Sequence, residues 1–258
     1  MQISARTNAD LLKKGPLSDP LLDLFPRFIC ARRPRSKALL ARDGRGRPIA
    51  CLVRGKGVGL PGIWSDWIVA HSPEAALALF ERWVDGDPEA GALSIIGVAP
   101  DLLLEHLPSQ WSMSTDRLMT HEDPGAPVTT LPGVTVSRLT PEIFEKSSLP
   151  REFEGLVLES DLEEGMFFVA AVEQGQIRAL ADASVSTAKA ATIQQVSTMS
   201  AHRKRGLGFA VTAHLRDLLL GRGKGLSWIA SDDNAASLAL ATKLGFRHRC
   251  GLAFVETP

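Results

Sequence analysis

The chain has 258 residues, with 29 Lys and Arg against 29 Asp and Glu, and 45% of its residues are hydrophobic. That length gives room for one large domain or two small ones. The composition is that of a globular chain, and the cancelled charge supplies no global electrostatic pull on nucleic acid.

No apolar run reaches the ~20 residues of a membrane helix. Met1 to Asp10 lacks a signal-peptide core. The expectation is therefore a cytoplasmic protein, monomer or homodimer, with neither nucleic acid nor membrane as partner. Cys30, Cys51 and Cys250 are far apart and without ligand spacing. They read as buried thiols of a reducing compartment, and no metal is expected. Tyrosine is absent, so Trp and Phe supply the aromatic core.

In chain order, residues 1–29 read as a short helical start, punctuated by Gly15-Pro16 and Pro20, before a small solvated basic run at Arg32, Arg33, Arg35 and Lys37. Ala38 to Arg42 and Ile49 to Val53 flank Asp43-Gly44-Arg45-Gly46 as a hairpin. Gly55 to Gly62 links onward to a third β run, Ile63 to Ala70. Ser72-Pro73-Glu74 opens a helix whose apolar face is Ala75, Ala76, Leu79, Phe80 and Trp83, stopped by Asp85-Gly86-Asp87-Pro88. A strand from Leu93 to Val98, a short helix from Asp101 to Leu107 and a strand around Trp111, Met113 and Leu118 follow. Asp123 to Pro127 reads as a linker, and the domain boundary is set at 132/133, giving domains 1–132 and 133–258.

The second half opens with the strand Val134 to Leu139 and helical segments at Pro141 to Ser147 and Arg151 to Glu159. Strands Met166 to Val172, Gln176 to Ser184 and Ala191 to Thr198 come next, the first two joined by Glu173-Gln174-Gly175. Leu207, Ala210, Val211, His214, Leu215, Leu218 and Leu219 recur at helical spacing. A strand, Leu226 to Ala230, a helix, Asn234 to Leu244, and a closing hairpin of Phe246 to Cys250 with Leu252 to Glu256 complete the chain.

The strand ending at Thr198 thus feeds a helix through Arg203-Lys204-Arg205-Gly206-Leu207-Gly208. First-turn N–H groups of a helix lack backbone partners, glycine permits close approach, and the helix N-terminus favours negative charge. Those are the requirements of a diphosphate cradle. The other reading is a tight strand–helix turn with solvated basic residues. Gly206-Leu207-Gly208 lacks the third glycine of a dinucleotide fingerprint and the G-K-[ST] ending of a Walker loop.

Val196 to Gly208 resembles the acyl-CoA signature of the GNAT N-acetyltransferase superfamily, R/Q-x-x-G-x-G/A, with Arg203, Gly206 and Gly208 on its fixed positions. Asp233 to Phe246 resembles the second signature, N-x-x-[AS]-x-x-L-Y-x-x-x-G-F, at the family's spacing. The resemblance implies an α+β fold of α/β/α layers around a mixed, mostly antiparallel sheet. It also implies an N-acyltransferase that moves an acyl group, in the simplest case acetyl from acetyl-CoA, to an amine of a small molecule, amino acid or protein. The alternative is a non-catalytic acyl-CoA-binding or sensing protein.

Carried over by residue, Val196, Ser197 and Thr198 meet pantetheine in a gap between splayed strands, while Arg203, Lys204, Arg205, Gly206, Leu207 and Gly208 meet the diphosphate. Ser237 and Lys243 join them on the second signature, Lys243 toward the nucleotide or as a solvated helix end. Asn234 caps its helix, bonds the cofactor arm, or does both.

Catalysis is less legible. The tyrosine of the second signature is Ala241 here, and the glutamate that many members place at the start of the cofactor strand is Thr192. Ser197, Thr198 and His202 are the candidate catalytic residues, with Glu163, Glu164, Asp182 and Glu256 as further replacements for the missing acid and base. A tyrosine at position 241 is expected to supply the acid if the ring fits.

Both halves read hairpin, strand, helix, strand, helix, which suggests two tandem GNAT-like halves, as in the mycothiol synthase branch of the resembled superfamily. The first half has His71-Ser72-Pro73 at the equivalent turn, with no glycine and one N–H fewer. It is expected to have lost cofactor binding.

Overall fold

A computed structural model describes residues 1–13, 19, 24–32, 36–54, 66–86, 91–97, 99–128, 130–157, 159–163 and 165–257. Gly15-Pro16 and Pro20, Arg33 and Arg35, the Gly55 to Gly62 link with Ile63, the helix stop at Asp87-Pro88, Val98 and Glu164 lie outside the described residues.

The elements in chain order are β1 (Gln2–Thr7), α1 (Asn8–Lys13), α2 (Leu24–Arg32), β2 (Lys37–Arg42), β3 (Pro48–Val53), β4 (Asp66–Ala70), α3 (Pro73–Asp85), β5 (Ala92–Ile96), α4 (Asp101–Leu104) and β6 (Ser112–His121). They continue with β7 (Val134–Arg138), α5 (Pro141–Lys146), α6 (Glu159–Glu163), β8 (Phe167–Glu173), β9 (Gln176–Ala183), β10 (Ala190–Ile193), β11 (Gln195–Thr198), α7 (Leu207–Leu220), β12 (Gly225–Ser231), α8 (Ala235–Lys243) and β13 (Phe246–Glu256). They pack as two compact units. One takes Met1–Met119 with Ala230–Ala235 and His248–Pro258, the other Thr120–Ile229 with Ala236–Arg247. The first unit therefore draws two segments from the second half of the sequence.

In the first unit β1 pairs with β2, β2 with β3 and β3 with β4, all antiparallel. β4 pairs with β5 in parallel, and β5 with the end of β13 antiparallel, from Leu252 opposite Ile96 to Glu256 opposite Ala92. The β2–β3 turn forms because the Asp43 carboxylate accepts the N–H groups of Arg45 and Arg47, each at 2.9 Å. Ala75, Ala76, Leu79, Phe80 and Trp83 of α3 bury their side chains with Leu52, Ile68, Leu93, Ile95 and Val255. Each large apolar side chain among them contributes roughly 1.5–3 kcal/mol by leaving water.

In the second unit β11, β9, β8 and β7 pair antiparallel in that order. α7 packs on this sheet through Leu207, Ala210, Val211, Leu215 and Leu219, the stripe its periodicity predicts. β10 pairs in parallel with β12.

Four sequence readings change. Residues 2–7 are a strand, since Ile3 and Ser4 alternate too briefly to announce one. The expected helix from Arg151 to Glu159 is a single 3₁₀ turn, Arg151–Phe153, and α6 begins at Glu159. Ala191 to Thr198 divides at Gln194 into β10 and β11. The closing hairpin is one uninterrupted strand, β13, because the partner of Leu252–Glu256 is β5 rather than Phe246 to Cys250. No helix among the described residues is long and apolar enough to cross a membrane.

Candidate functional site

The division at Gln194 opens a wedge. β10 and β12 run side by side from Ala190 opposite Gly225 to Ile193 opposite Trp228, and the pairing ends there. Thr192 reinforces it, its hydroxyl donating to the Ser227 carbonyl at 3.3 Å. Gln194 then donates its N–H to the Asp182 carbonyl (3.2 Å), and the chain continues as β11 against β9 alone. Among the described residues no strand pairs with the other edge of β11. Met199 donates to the Arg178 carbonyl (3.0 Å), which fixes the antiparallel alternation. Ser197 and Met199 direct their backbone groups at β9, while Val196 and Thr198 direct theirs at the open edge.

The chain leaves β11 through a 3₁₀ turn, Ser200–His202. Lys204 (φ 62°) and Gly206 (φ 82°) both adopt left-handed backbone before α7 starts at Leu207. A lysine in that conformation costs roughly 1–2 kcal/mol, and such strain concentrates where a backbone shape is used. At Gly206 an added Cβ would meet only Leu131 Cδ2, at an ordinary contact distance of 3.9 Å, so glycine is required there by its φ and not by packing. At Gly208 the reverse holds. A Cβ would come within 3.2 Å of Thr198 Oγ1, so the helix approaches β11 closely enough that a side chain there would have to push Thr198 aside by a few tenths of an ångström. No side chain caps α7. Its first internal acceptor is reached only at Ala210, which donates to the Gly206 carbonyl at 2.9 Å. The N–H groups of Leu207, Gly208 and Phe209 have no acceptor among the described residues.

The basic residues divide. Arg205 forms a two-pronged pair with Glu173 (2.7 and 3.2 Å), and His202 Nε2 and Arg178 Nε stand 3.7 and 3.6 Å from the same carboxylate. The Arg205 hydrogen bond holds the Glu173 carboxyl below its ordinary range, helped by the charges of Arg205, Arg178 and His202. This cluster anchors the turn, and the Arg205 charge is committed to it. The Arg203 side chain is exposed, and among the described residues it donates to the Thr198 carbonyl alone, at 3.4 Å. Lys204 is exposed as well. Glu173 was legible in the sequence only as part of a hairpin turn, because nothing local announces a pairing with a residue 32 positions on.

Val196, Ser197, Thr198 and His202 through Gly208 are thus brought together along β11 and the start of α7. The second signature reaches them in part. Lys243 places its ammonium 4.5 Å from the centre of the Phe209 ring, on the first turn of α7. Ser237 accepts from Trp228 Nε1 (3.0 Å), tying α8 to β12. Asn234 immediately precedes α8, within the Ala230–Ala235 segment of the first unit.

Among the acid–base candidates, Thr192 is engaged in the β10–β12 ladder and His202 in the Glu173 cluster. Glu163 and Glu256 are exposed. Ala241 is fully buried, so a tyrosine there would have to displace its neighbours. Asp182 is different. It is buried on β9 opposite Gln195, and its carboxyl is pushed up to about 6 by desolvation, against the opposing effect of its hydrogen bonds from Ser184. Among the described residues no group of His, Cys, Asp and Glu has the arrangement of a metal site.

Residues 147–252 match the family model for GNAT acetyltransferase. No curated protein matches the chain. Among solved structures, the chain is similar to a Drosophila protein, with a TM-score of 0.61 and 17% identity over 99% of this chain and 98% of the other. It is similar to a GCN5-related N-acetyltransferase-like protein from Streptococcus suis, with a TM-score of 0.54 and 17% identity over 96% and 98% of the two chains. It is also similar to a tandem GNAT protein from the clavulanic acid biosynthesis pathway, with a TM-score of 0.54 and 13% identity over 98% and 97%. The fold is the mixed α+β fold of GNAT proteins, and residues 147–252 form a GNAT acetyltransferase domain.

Proposed function

We propose that this GNAT acetyltransferase domain makes the chain an acyl-CoA-dependent N-acyltransferase, in the simplest case moving acetyl from acetyl-CoA to an amine of a small molecule, an amino acid or a protein. The observation that carries the reading is the uncapped N-terminus of α7 beside the open edge of β11. Three unpaired N–H groups with the positive end of the helix dipole suit a diphosphate. Arg203 and Lys204 add exposed positive charge. The backbone groups of Val196 and Thr198 suit the amides of a pantetheine arm laid along the edge as a strand would be.

Acyl-CoA supplies an activated carbonyl with a thiolate leaving group. The chain's own residues have to orient that carbonyl, offer an N–H to its developing oxyanion and take a proton from the amine. The Val196 N–H, the open-edge donor nearer Gln194, is the oxyanion donor at hand. Thiolate departure needs no tyrosine, since a thiol with pKa near 8.5 leaves tolerably as the anion.

The second reading is an acyl-CoA-binding protein without turnover. It is favoured by the buried alanine at position 241 in place of the family's tyrosine. Calorimetry with acetyl-CoA, paired with CoA thiol release over a panel of amines, separates the two. Binding with thiol release supports the transferase. Binding without release from any amine supports the sensor, and no binding removes both.

A further inference from the structure

The geometry points to Asp182 as the proton acceptor of the transfer step, held at the closed end of the wedge by Ser184 and Gln194; this rests on the acyltransferase reading above. The closed end is defined by Gln194, the residue at which β10 leaves β12. A diphosphate on α7 enters from the Thr198 end. Gln194 lies four residues further in, roughly 13 Å along a strand, where the thioester end of an extended arm arrives.

Three polar side chains converge there. Asp182 Oδ1 accepts from the Ser184 N–H at 3.1 Å, and the single proton of the Ser184 hydroxyl can go either to Asp182 Oδ1, also at 3.1 Å, or to Gln194 Oε1. Asp182 Oδ2 takes no hydrogen bond from the described residues, which leaves one oxygen of an oriented carboxylate free to accept. The face is also the right one. Gly208 stands over Val196 and Thr198, so α7 covers the face that they share with Ala179 and Ala181. Asp182 shares the opposite face with Gln195, Ser197 and Leu180, leaving the acceptor a side that the helix does not occupy.

Among the other described candidates, His202 is committed to Glu173, and Glu163 and Glu256 are exposed. A buried carboxylate without a positive partner is otherwise an expensive feature. The charged groups near it are Asp161 on α6, whose like charge favours the protonated form, and Arg178 further along its own face of β9. Gln195 on β11 and Phe168 on β8, both opposite Asp182, carry no charge. A base of this strength is half-ionised near pH 6 and ready at neutral pH.

In the step itself the amine nitrogen attacks the thioester carbonyl, and the C–N bond forms. The proton that the nitrogen sheds passes to Asp182 Oδ2. The C–S bond then breaks with its electron pair on sulfur, and the Asp182 proton goes to the thiolate or to water.

The test uses the full chain with acetyl-CoA and, as amine probes, spermidine, lysine and a glycine-initiated peptide. Wild-type kcat/KM is expected to fall through a one-proton limb near pH 6 as the pH is lowered. Asp182→Asn is expected to lose that limb and about 100-fold or more in kcat, with acetyl-CoA affinity unchanged within about twofold. Asp182→Glu should restore part of the rate. In parallel, carbon-13 NMR of the aspartate carboxyls, assigned by loss of one signal in Asp182→Asn, should show that group titrating near pH 6 in the wild type. A midpoint below about 4.5, in the ordinary aspartate range, overturns the inference whatever the amine. Thiol release that keeps its acidic limb in Asp182→Asn also overturns it while the acyltransferase reading stands. Failure to bind acetyl-CoA removes that reading instead.

Discussion

The turn between β4 and α3 and the turn between β11 and α7 occupy the same place in the order of elements, and they are built to opposite ends. At α3 every first-turn donor is accounted for. Pro73 has none, and Glu74 bonds its own carboxylate, which lowers that carboxyl's pKa with help from Ser72. Ala75 donates to the Ser72 hydroxyl at 3.2 Å and Ala76 to the Ser72 carbonyl at 3.1 Å. At α7 the matching donors have no acceptor among the described residues.

The strands differ in the same sense. β4 is paired on both edges, with β3 from Trp67 to Ala70 and with β5 from Asp66 to Val69. Gly97, just beyond β5, packs so closely on the Ala70 carbonyl that a Cβ would not fit. β11 keeps one edge open. A closed ladder ending in a capped helix is a stability device, while an open edge ending in an uncapped helix leaves polar groups for a ligand to satisfy.

Substitutions can break this contrast, and the largest effect is expected at Gly206. Gly206→Asp puts a side chain into left-handed backbone and a carboxylate beside the N–H cradle. Acetyl-CoA affinity should fall more than about 100-fold by calorimetry. An affinity within about fivefold of wild type would mean that the anion sits elsewhere.

Asp182→Asn should also change stability with pH, independently of turnover. The folded-state pKa of Asp182 is about 6, above the unfolded value of about 3.9. Its favourable contribution is therefore complete below about pH 4 and is lost as the pH rises to about 6. At pH 8 the asparagine variant should be more stable, by on the order of 2 kcal/mol, and at pH 4 the difference should vanish. Denaturant melts at the two values check the sign.

Arg203 and Arg205 sharpen the contrast within one loop. Arg203→Ala should weaken acetyl-CoA binding about tenfold and flatten its salt dependence, because that guanidinium is uncommitted. Arg205→Ala should cost about threefold, since its charge is spent on Glu173. Equal losses would show that Arg205 leaves Glu173 when ligand binds.

The smallest effect belongs to the first unit. Ser72→Ala removes the α3 cap and should lower stability by about 1 kcal/mol. Acetyl-CoA affinity should not change. A matching loss of affinity would argue that the capped turn also serves the ligand.

Much of this was readable without coordinates, because it is local. The α7 stripe from Leu207 to Leu219, the Ser72-Pro73 start of α3, the Asp43 turn and the glycines at 206 and 208 each obey rules that act within about one turn of chain. The two signatures, 25 or more residues apart, pointed to the same domain for that reason. What the sequence did not carry is whatever depends on partners distant in the chain. Gln194 splits a strand because Ala190–Ile193 finds β12 while Gln195–Thr198 finds only β9. β13 runs on without a turn because β5, more than 150 residues earlier, offers its edge. Glu173 binds Arg205 across 32 residues and takes it out of the anion site. Asp182 was one of several acidic candidates until burial distinguished it from Glu163 and Glu256. Ala241 passed as a place for an acid until its complete burial was seen. Capping and periodicity act between neighbours in the chain, so the amino-acid order states them directly. Strand pairing, desolvation and ion pairing depend on which distant segments meet, and only the folded chain decides that.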